Sequence, residues 1–362
     1  MTAPVAVILG TRPEIVKLAP LIKELGPQAL VIHTGQHFDY AMSGIFFAEC
    51  GLEPPEHVFA VGGKNRIGQI AGAALVLDDL FARQRPQLVV VQGDTNSTLA
   101  GAMTANAHDV PLLHLEAGLR SYDRAMPEEH NRVLVDHLSD ILCAATESNA
   151  ANLAGEGIAA SRVVVTGNTV VEAVQAYLPS EQDSLATLRE YGLADGGYVL
   201  ATMHRPENTD DPGQLSTICA ELAALAGEGW PVIMPLHPRT LAAAAELPGA
   251  LAKLMVCAPV GYRDFLSLAR HAALVISDSG GVQEEVTVLK RPLLVVRRST
   301  ERPEAMRDFA SLVTSSRQLS RIARQWLSKG DAVHQRLRDL PSPFGDGHAA
   351  SRVAALIRDR IS

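Results

Sequence analysis

Val89-Val90-Val91-Gln92-Gly93-Asp94-Thr95-Asn96 and, further on, Pro111-Leu112-Leu113-His114-Leu115-Glu116-Ala117-Gly118 decide how this chain is read. Each is a short, unbroken apolar run that stops at a carboxylate. A strand buried on both faces has no polar face to show, so such runs predict parallel strands inside an α/β sheet. In open sheets of that kind, ligands collect outside the carboxyl ends of the strands. Asp94 and Glu116 lie 22 positions apart, the span of one helix plus one strand, which predicts that both acids cap strands at one sheet edge. Adjacent parallel strands are roughly 5 Å apart. Two partly shielded carboxylates at that spacing differ in proton affinity and can divide the roles of acid and base. Glu128, in Met126-Pro127-Glu128-Glu129-His130-Asn131-Arg132, opens a helix and is the third candidate. A plainer reading makes Asp94 a helix N-cap and gives Glu128 and Glu129 the easing of a helix dipole.

Outward from these runs, strand-like segments alternate with helical ones: 5–9, 29–34, 87–92, 111–115 and 162–166, then 198–203, 231–236, 253–258, 273–277 and 292–297. This alternation predicts an α/β protein of two Rossmann-like, doubly wound domains. The expected boundaries are residues 1–168 and 169–345, with a seam at Thr166-Gly167-Asn168-Thr169 and a final helix, about 346–362, returning to the first domain. The active site is expected in a cleft between facing strand ends.

A chain of 362 residues has room for two ordinary cores. With 47% hydrophobic and 20% charged residues it has the composition of a folded, compact protein. A net charge of -8 offers no broad basic face, which argues against nucleic acid or anionic membrane as a partner. Cys50, Cys143, Cys219 and Cys257 are far apart, unlike a zinc ribbon or a disulfide framework. Met1 runs almost directly into a strand, no signal-peptide pattern precedes it, and no run reaches the roughly 18 apolar residues of a membrane span, so a cytoplasmic location is expected.

Gly10-Thr11-Arg12-Pro13-Glu14 leads from the first strand into a helix that Pro13 can enter without losing a needed amide. Arg12 and Lys17 bracket the helix N-terminus, a place suited to an anion, or else are surface cations on a structural turn. Pro20 is expected to kink or restart that helix. His204-Arg205 ends the first strand of the second half, and His237-Pro238-Arg239 repeats the arrangement one strand later. A histidine beside an arginine at a strand end suits a phosphate contact or a proton relay, or is structural. No metal-ligand spacing accompanies them. Ser277-Asp278-Ser279-Gly280-Gly281 turns from a strand into a helix, where two glycines, the Ser279 hydroxyl and free amides can cradle a diphosphate. Glu285, one turn later, is placed for ribose hydroxyls. Tyr262 and Phe265 either flank a base or pack in the core.

Taken together these segments resemble the non-hydrolysing UDP-N-acetylglucosamine 2-epimerase family, with matches nearly end to end. They include Gly-Thr-Arg-Pro-Glu at 10–14, Gln-Gly-Asp-Thr at 92–95, Glu-Ala-Gly-Leu-Arg at 116–120, Pro-Glu-Glu at 127–129 and Thr-Gly-Asn-Thr at 166–169. His-Arg-x-Glu-Asn at 204–208, Asp-Ser-Gly-Gly at 278–281, Thr-Glu-Arg-Pro-Glu at 300–304 and Gly-Asp-Gly at 345–347 continue the series. The resemblance implies a glycosyltransferase-B fold, a UDP-sugar substrate, a homodimer, and neither cofactor nor catalytic metal. It implies elimination of UDP to a 2-acetamidoglucal, then re-addition with the C2 proton on the opposite face. In the family's pattern Asp94, Glu116, Glu128 and His204 are catalytic. There, Arg12, Lys17, Ser279, Gly280, Gly281, Glu285 and Arg302 become the UDP grip, to which the reading of the residues themselves adds Arg205, His237 and Phe265 as expected UDP-sugar contacts. The 117–127 loop is shorter than in many bacterial members and looks like the branch that includes archaeal enzymes and epimerases of UDP-diacetamido uronic acids. Arg298 and Arg124 then either meet a sugar carboxylate or are solvated. Gln36-His37-Phe38-Asp39-Tyr40 departs from the segment near which many members bind an activating substrate molecule. Alternatives within the same chemistry are a hydrolysing epimerase releasing N-acetylmannosamine and, outside catalysis, a nucleotide-sugar sensor.

Overall fold

The computed structural model describes residues 4–36, 40–236, 238–245, 247, 249 and 251–361. They form two compact units, Met1–Gln175 with Phe344–Ser362, and Ala176–Pro343. The first unit is built on strands β1 (Val5–Leu9), β2 (Ala29–His33), β3 (His57–Val58), β4 (Leu88–Gln92), β5 (Leu112–Ala117), β6 (Ile141–Ala144) and β7 (Val163–Val165). Among the described residues these make one parallel sheet in the order β3-β2-β1-β4-β5-β6-β7. The second unit carries β8 (Val199–Thr202), β9 (Val232–Pro235), β10 (Met255–Cys257), β11 (Leu274–Ser277), β12 (Leu293–Val296) and β13 (Ala310–Val313). Its order, β10-β9-β8-β11-β12-β13, repeats the same winding.

The apolar runs are what bury these sheets. Val89, Val90 and Val91 in β4 have no exposed surface. Each such side chain contributes roughly 1.5–3 kcal/mol relative to exposure, on an area argument. One face of the first sheet rests on Ile70, Leu77 and Phe81 of the helix Arg66–Arg83 and on Leu99 and Ala102 of the helix Asn96–Ala107. In the second unit Ile218, Leu222 and Leu225 of the helix Pro212–Gly227 pack on β8 and β9 residues such as Val199 and Val232.

Winding reverses between β1 and β4 in the first unit, paired Val5↔Leu88, and between β8 and β11 in the second, paired Val199↔Leu274. These are the topological switch points, where connections depart to opposite sides and leave a crevice at the strand ends. The turn after β1 holds Gly10-Thr11-Arg12 and the turn after β4 holds Gly93-Asp94. The turn after β8 holds Met203-His204 and the turn after β11 holds Asp278-Ser279.

Three strands escape the sequence pattern. β3 is only His57–Val58, β6 is a four-residue run, and β13 is an edge strand whose Ser311 and Leu312 are half-buried. A two-residue strand such as β3 has too little length for periodicity to register. The division between units falls after Gln175 rather than at Thr166–Thr169. The helix Val170–Tyr177 starts on the first unit, where the Asn168 amide donates to the Phe344 carbonyl at 2.8 Å and Glu172 accepts from the Ala350 amide at 2.7 Å. Pro20 does not restart its helix, which runs as one element from Arg12 to Leu25.

Candidate active site

In the first unit, β4 and β5 are neighbours, with Val91 opposite His114 and Gln92 opposite Leu115. Asp94 and Glu116 therefore stand at one edge on adjacent strands. Asp94 does not cap the following helix, because Thr95 does so, its hydroxyl accepting from the Thr98 amide at 3.1 Å. The Asp94 carboxylate is instead gripped by Arg132, from Nε at 3.1 Å and Nη2 at 2.5 Å, and remains partly exposed. Arg132 is almost wholly buried and its Nη1 donates to Glu129 at 2.6 Å. Glu129 also accepts from the Ser121 and Tyr122 amides at 2.9 Å each, so it fastens the loop ahead of its helix. Glu128, beside it in the first turn, is half-buried and makes no hydrogen bond or ion pair among the described residues. The two adjacent acids thus differ: Glu129 is structural and Glu128 is available.

Glu116 sits where the register of β5 on β6 breaks between Leu115 and Ala117. Its φ is 64°, in the left-handed region, which costs a non-glycine residue about 1–3 kcal/mol and persists only where surroundings enforce it. A bulge of this kind re-aims a side chain at a strand end. The carboxylate is buried, ion-paired with Lys17 and accepting from Asn168 Nδ2 at 2.9 Å. Lys17 is thereby engaged with Glu116 and is itself buried, and Arg12 lies over the Phe46 ring at 4.2 Å.

Glu14 went unnoticed in the sequence reading. It is buried and bridges the two turns of the switch point. Oε2 accepts from the Gly10 amide at 3.0 Å and the Thr11 hydroxyl at 2.8 Å; Oε1 accepts from Thr95 at 2.9 Å and Thr98 at 3.1 Å. Burial pushes its carboxyl up to about 7, against the lowering effect of those donors.

His114 and Asp136 were missed as well. Both are fully buried, with Nδ1 of His114 2.7 Å from Asp136 Oδ1 and Nε2 2.8 Å from the Gly93 carbonyl. Burial alone raises the Asp136 carboxyl, but the His114 ring and the Arg120 guanidinium outweigh it and hold the group below its ordinary value.

In the second unit Asp278 is the anchor. It accepts from the His204 amide at 3.0 Å, the Arg205 amide at 2.9 Å and Asn208 Nδ2 at 3.0 Å, and lies 3.2 Å from His204 Nδ1. Burial pushes this carboxyl up; His204 and the other donors reverse the shift and hold it low. The His204 side chain is 38% exposed, at the switch point. Ser279 stands at the N-cap position of the helix Gly280–Leu289 with no side-chain cap bond, leaving its hydroxyl and the first amides for another use.

The two glycines are not equivalent. A Cβ at Gly280 would lie 2.7 Å from Arg302 Nη1 and 2.9 Å from Glu301 Oε1, whereas at Gly281 it would meet only the Ser279 hydroxyl, at 3.9 Å. Arg302 is buried behind the cradle, donating from Nε to Glu284 at 2.6 Å and paired with Glu301. Glu285 is half-buried on the same helix, while Tyr262 and Phe265 are largely buried, Tyr262 edge-on to Tyr177. His237 and the segment 37–39 lie outside the described residues. Arg298 is exposed at the rim of a cavity of about 610 Å³ that Glu207, Asn208, Arg297 and Arg317 also line.

Two Rossmann-like units, each a parallel sheet with polar side chains gathered at its switch point, define a fold of the glycosyltransferase-B type. The sequence matches the family described as UDP-N-acetylglucosamine 2-epimerase over residues 22–358. The chain belongs to that family of epimerases. It is 35% identical to the Methanocaldococcus jannaschii UDP-N-acetylglucosamine 2-epimerase, covering 97% of this chain and 98% of the relative. It is 36% identical to the Pseudomonas aeruginosa UDP-2,3-diacetamido-2,3-dideoxy-D-glucuronate 2-epimerase, covering 96% and 97%. The crystal structure of the M. jannaschii enzyme in complex with UDP-GlcNAc and UDP superposes with a TM-score of 0.89 at 36% identity, over 98% of this chain and 99% of that one. The Neisseria meningitidis UDP-GlcNAc 2-epimerase bound to UDP-GlcNAc gives 0.90 at 29% identity, over the same shares.

Proposed function

We propose that this protein interconverts UDP-N-acetylglucosamine and UDP-N-acetylmannosamine by eliminating UDP and adding it back. The observation that carries the reading is the set of acids at one sheet edge: Asp94 held by Arg132, Glu116 aimed by a left-handed bulge, and Glu128 unengaged among the described residues. One carboxylate takes the C2 proton as the C1–O bond to UDP breaks and a C1=C2 double bond forms. On return a proton reaches C2 from the opposite face and the diphosphate oxygen rejoins C1, so atoms and charge balance without oxidation. The leaving diphosphate needs donors where its charge develops. Ser279, the amides at Gly280 and Gly281, and the exposed His204 with Arg205 supply them; Glu285 serves the ribose. Arg302 acts from behind, fixing Gly280 through Glu301 and Glu284. The relatives crystallised with UDP-GlcNAc support this choice of substrate.

Turnover in deuterated water tests the reading. Deuterium is expected at C2 of both epimers, with no free N-acetylmannosamine; unlabelled sugars sink it, and release of free sugar with UDP establishes the hydrolysing variant instead. A second substrate, a UDP-diacetamido uronic acid, is favoured by the P. aeruginosa relative and by exposed Arg298 and Arg124, both able to meet a carboxylate. Comparing kcat/KM on the two sugars decides between them.

A further inference from the structure

We infer that His114 and Asp136 are positioning residues, a buried pair that fixes the three acid-bearing segments of the first unit against one another. The inference rests on the acid–base reading of Asp94, Glu116 and Glu128. His114 lies in β5 two residues before Glu116. Its Nε2 bonds the carbonyl of Gly93, the residue directly ahead of Asp94, at 2.8 Å. Its Nδ1 meets Asp136 at 2.7 Å, on the helix Pro127–Leu138 whose first turn carries Glu128. The other Asp136 oxygen accepts from the Gly118 amide at 3.1 Å and lies 2.7 Å from Arg120 Nη1, so the chain just after Glu116 is tied to the same carboxylate. One ring and one carboxylate therefore touch all three segments.

Hydrogen-bond bookkeeping places one proton. A carbonyl oxygen only accepts, so Nε2 carries hydrogen. The Asp136 carboxyl, held below its ordinary value, faces Nδ1 on the other side of the ring. With a carboxylate as partner, the contact to Asp136 is charge-assisted, about twice the strength of a neutral hydrogen bond. The purpose of the two contacts is visible in the backbone: Gly93 at φ 72° and Glu116 at φ 64° are both left-handed, and His114 bonds the first and is joined by one residue to the second. Fully buried and engaged at both nitrogens, the ring has no atom to offer a substrate.

The test uses the full-length enzyme with His114→Gln, whose longer side chain keeps the reach to Gly93, and His114→Asn, whose shorter one keeps the reach to Asp136. Each severs one link. In both, kcat per UDP-binding site is expected to fall about 10- to 100-fold, the loss typical of a reacting group misplaced by about 1 Å. UDP affinity and KM are expected to stay within about twofold, because the cradle belongs to the other unit. Wild-type kcat per UDP-binding site in both variants overturns the inference, as does loss of UDP binding in step with kcat. A second measurement needs no variant: ¹⁵N-histidine spectra of the wild type are expected to show one ring whose Nε2–H, bonded to the Gly93 carbonyl, is protected from exchange, and absence of such a ring also overturns it. Failure of the wild type to label C2 sinks the proposed reaction instead, so the two failures are told apart.

Discussion

Each unit backs a histidine with a buried aspartate, yet the two pairs differ in how much of the ring they enclose. His114 is enclosed, one nitrogen on Asp136 and the other on a backbone carbonyl. His204 bonds Asp278 by its Nδ1 side and presents much of its ring to solvent. The comparison teaches that an Asp–His pair is not a catalytic signature in itself: exposure of the ring decides whether it handles a ligand or only holds the chain. Asp278 binds the amides of both His204 and Arg205, so in the second unit the aspartate does the holding and the histidine ring stays partly exposed.

Variants of the acids should have the largest effect and break the comparison most directly. Asp94→Asn, Glu116→Gln and Glu128→Gln are each expected to lower the C2 exchange rate by about 10²- to 10⁴-fold with UDP affinity kept, since a general acid or base is removed. Wild-type exchange in all three would place the chemistry elsewhere. Next, the histidines should separate by what they cost. His114→Ala is expected to destabilise the fold by roughly 3–5 kcal/mol, the range for breaking a buried pair. His204→Ala should cost clearly less stability, because Asp278 keeps the amides of residues 204 and 205 and Asn208 as donors, while slowing turnover about 100-fold. Equal stability losses in urea titrations of the two variants would erase the distinction drawn above.

Glu14 sharpens the contrast from the other side, being a buried carboxylate held by hydroxyls and an amide, with no ion pair to it among the described residues. Its folded value of about 7 lies above the ordinary 4.5, so the protonated form favours the fold at acid pH and stability falls as pH rises between those values. The loss across that window is about 3 kcal/mol. Glu14→Gln cannot ionise, so its stability relative to wild type should improve by about that much between pH 4.5 and 8. A pH-independent difference would show that Glu14 titrates normally. The smallest effects distinguish the glycines. Gly280→Ala should cost roughly 1–3 kcal/mol through overpacking against Arg302, whereas Gly281→Ala should leave the melting temperature in place and weaken UDP binding about tenfold, which calorimetry would register.

The sheets were legible because parallel strands buried on both faces write continuous apolar runs, as Val89–Val91 and Leu293–Val296 do. The acids at the strand ends were legible for the same reason, since the run points to them. Their partners were not. Arg132 reaches Asp94 across 38 positions, and Lys17 reaches Glu116 across 99. An anion site and a surface cation were both open for Lys17, and the family's pattern made Arg302 a UDP contact; neither reading could name the carboxylate beside it. In the folded chain both face carboxylates. Nothing local marks His114, Asp136 or Glu14 either: each owes its burial and its proton to residues brought in by the winding of the sheet.

The break at Glu116 also governs which insertions and deletions this strand can absorb. Side chains alternate faces along β5 until Leu115, and the left-handed residue interrupts that count. Lengthening or trimming the 117–127 loop therefore leaves the acid where it is. Adding or removing one residue within Leu112–Leu115 would turn it to the opposite face, so natural length variation in this region should accumulate only downstream of it.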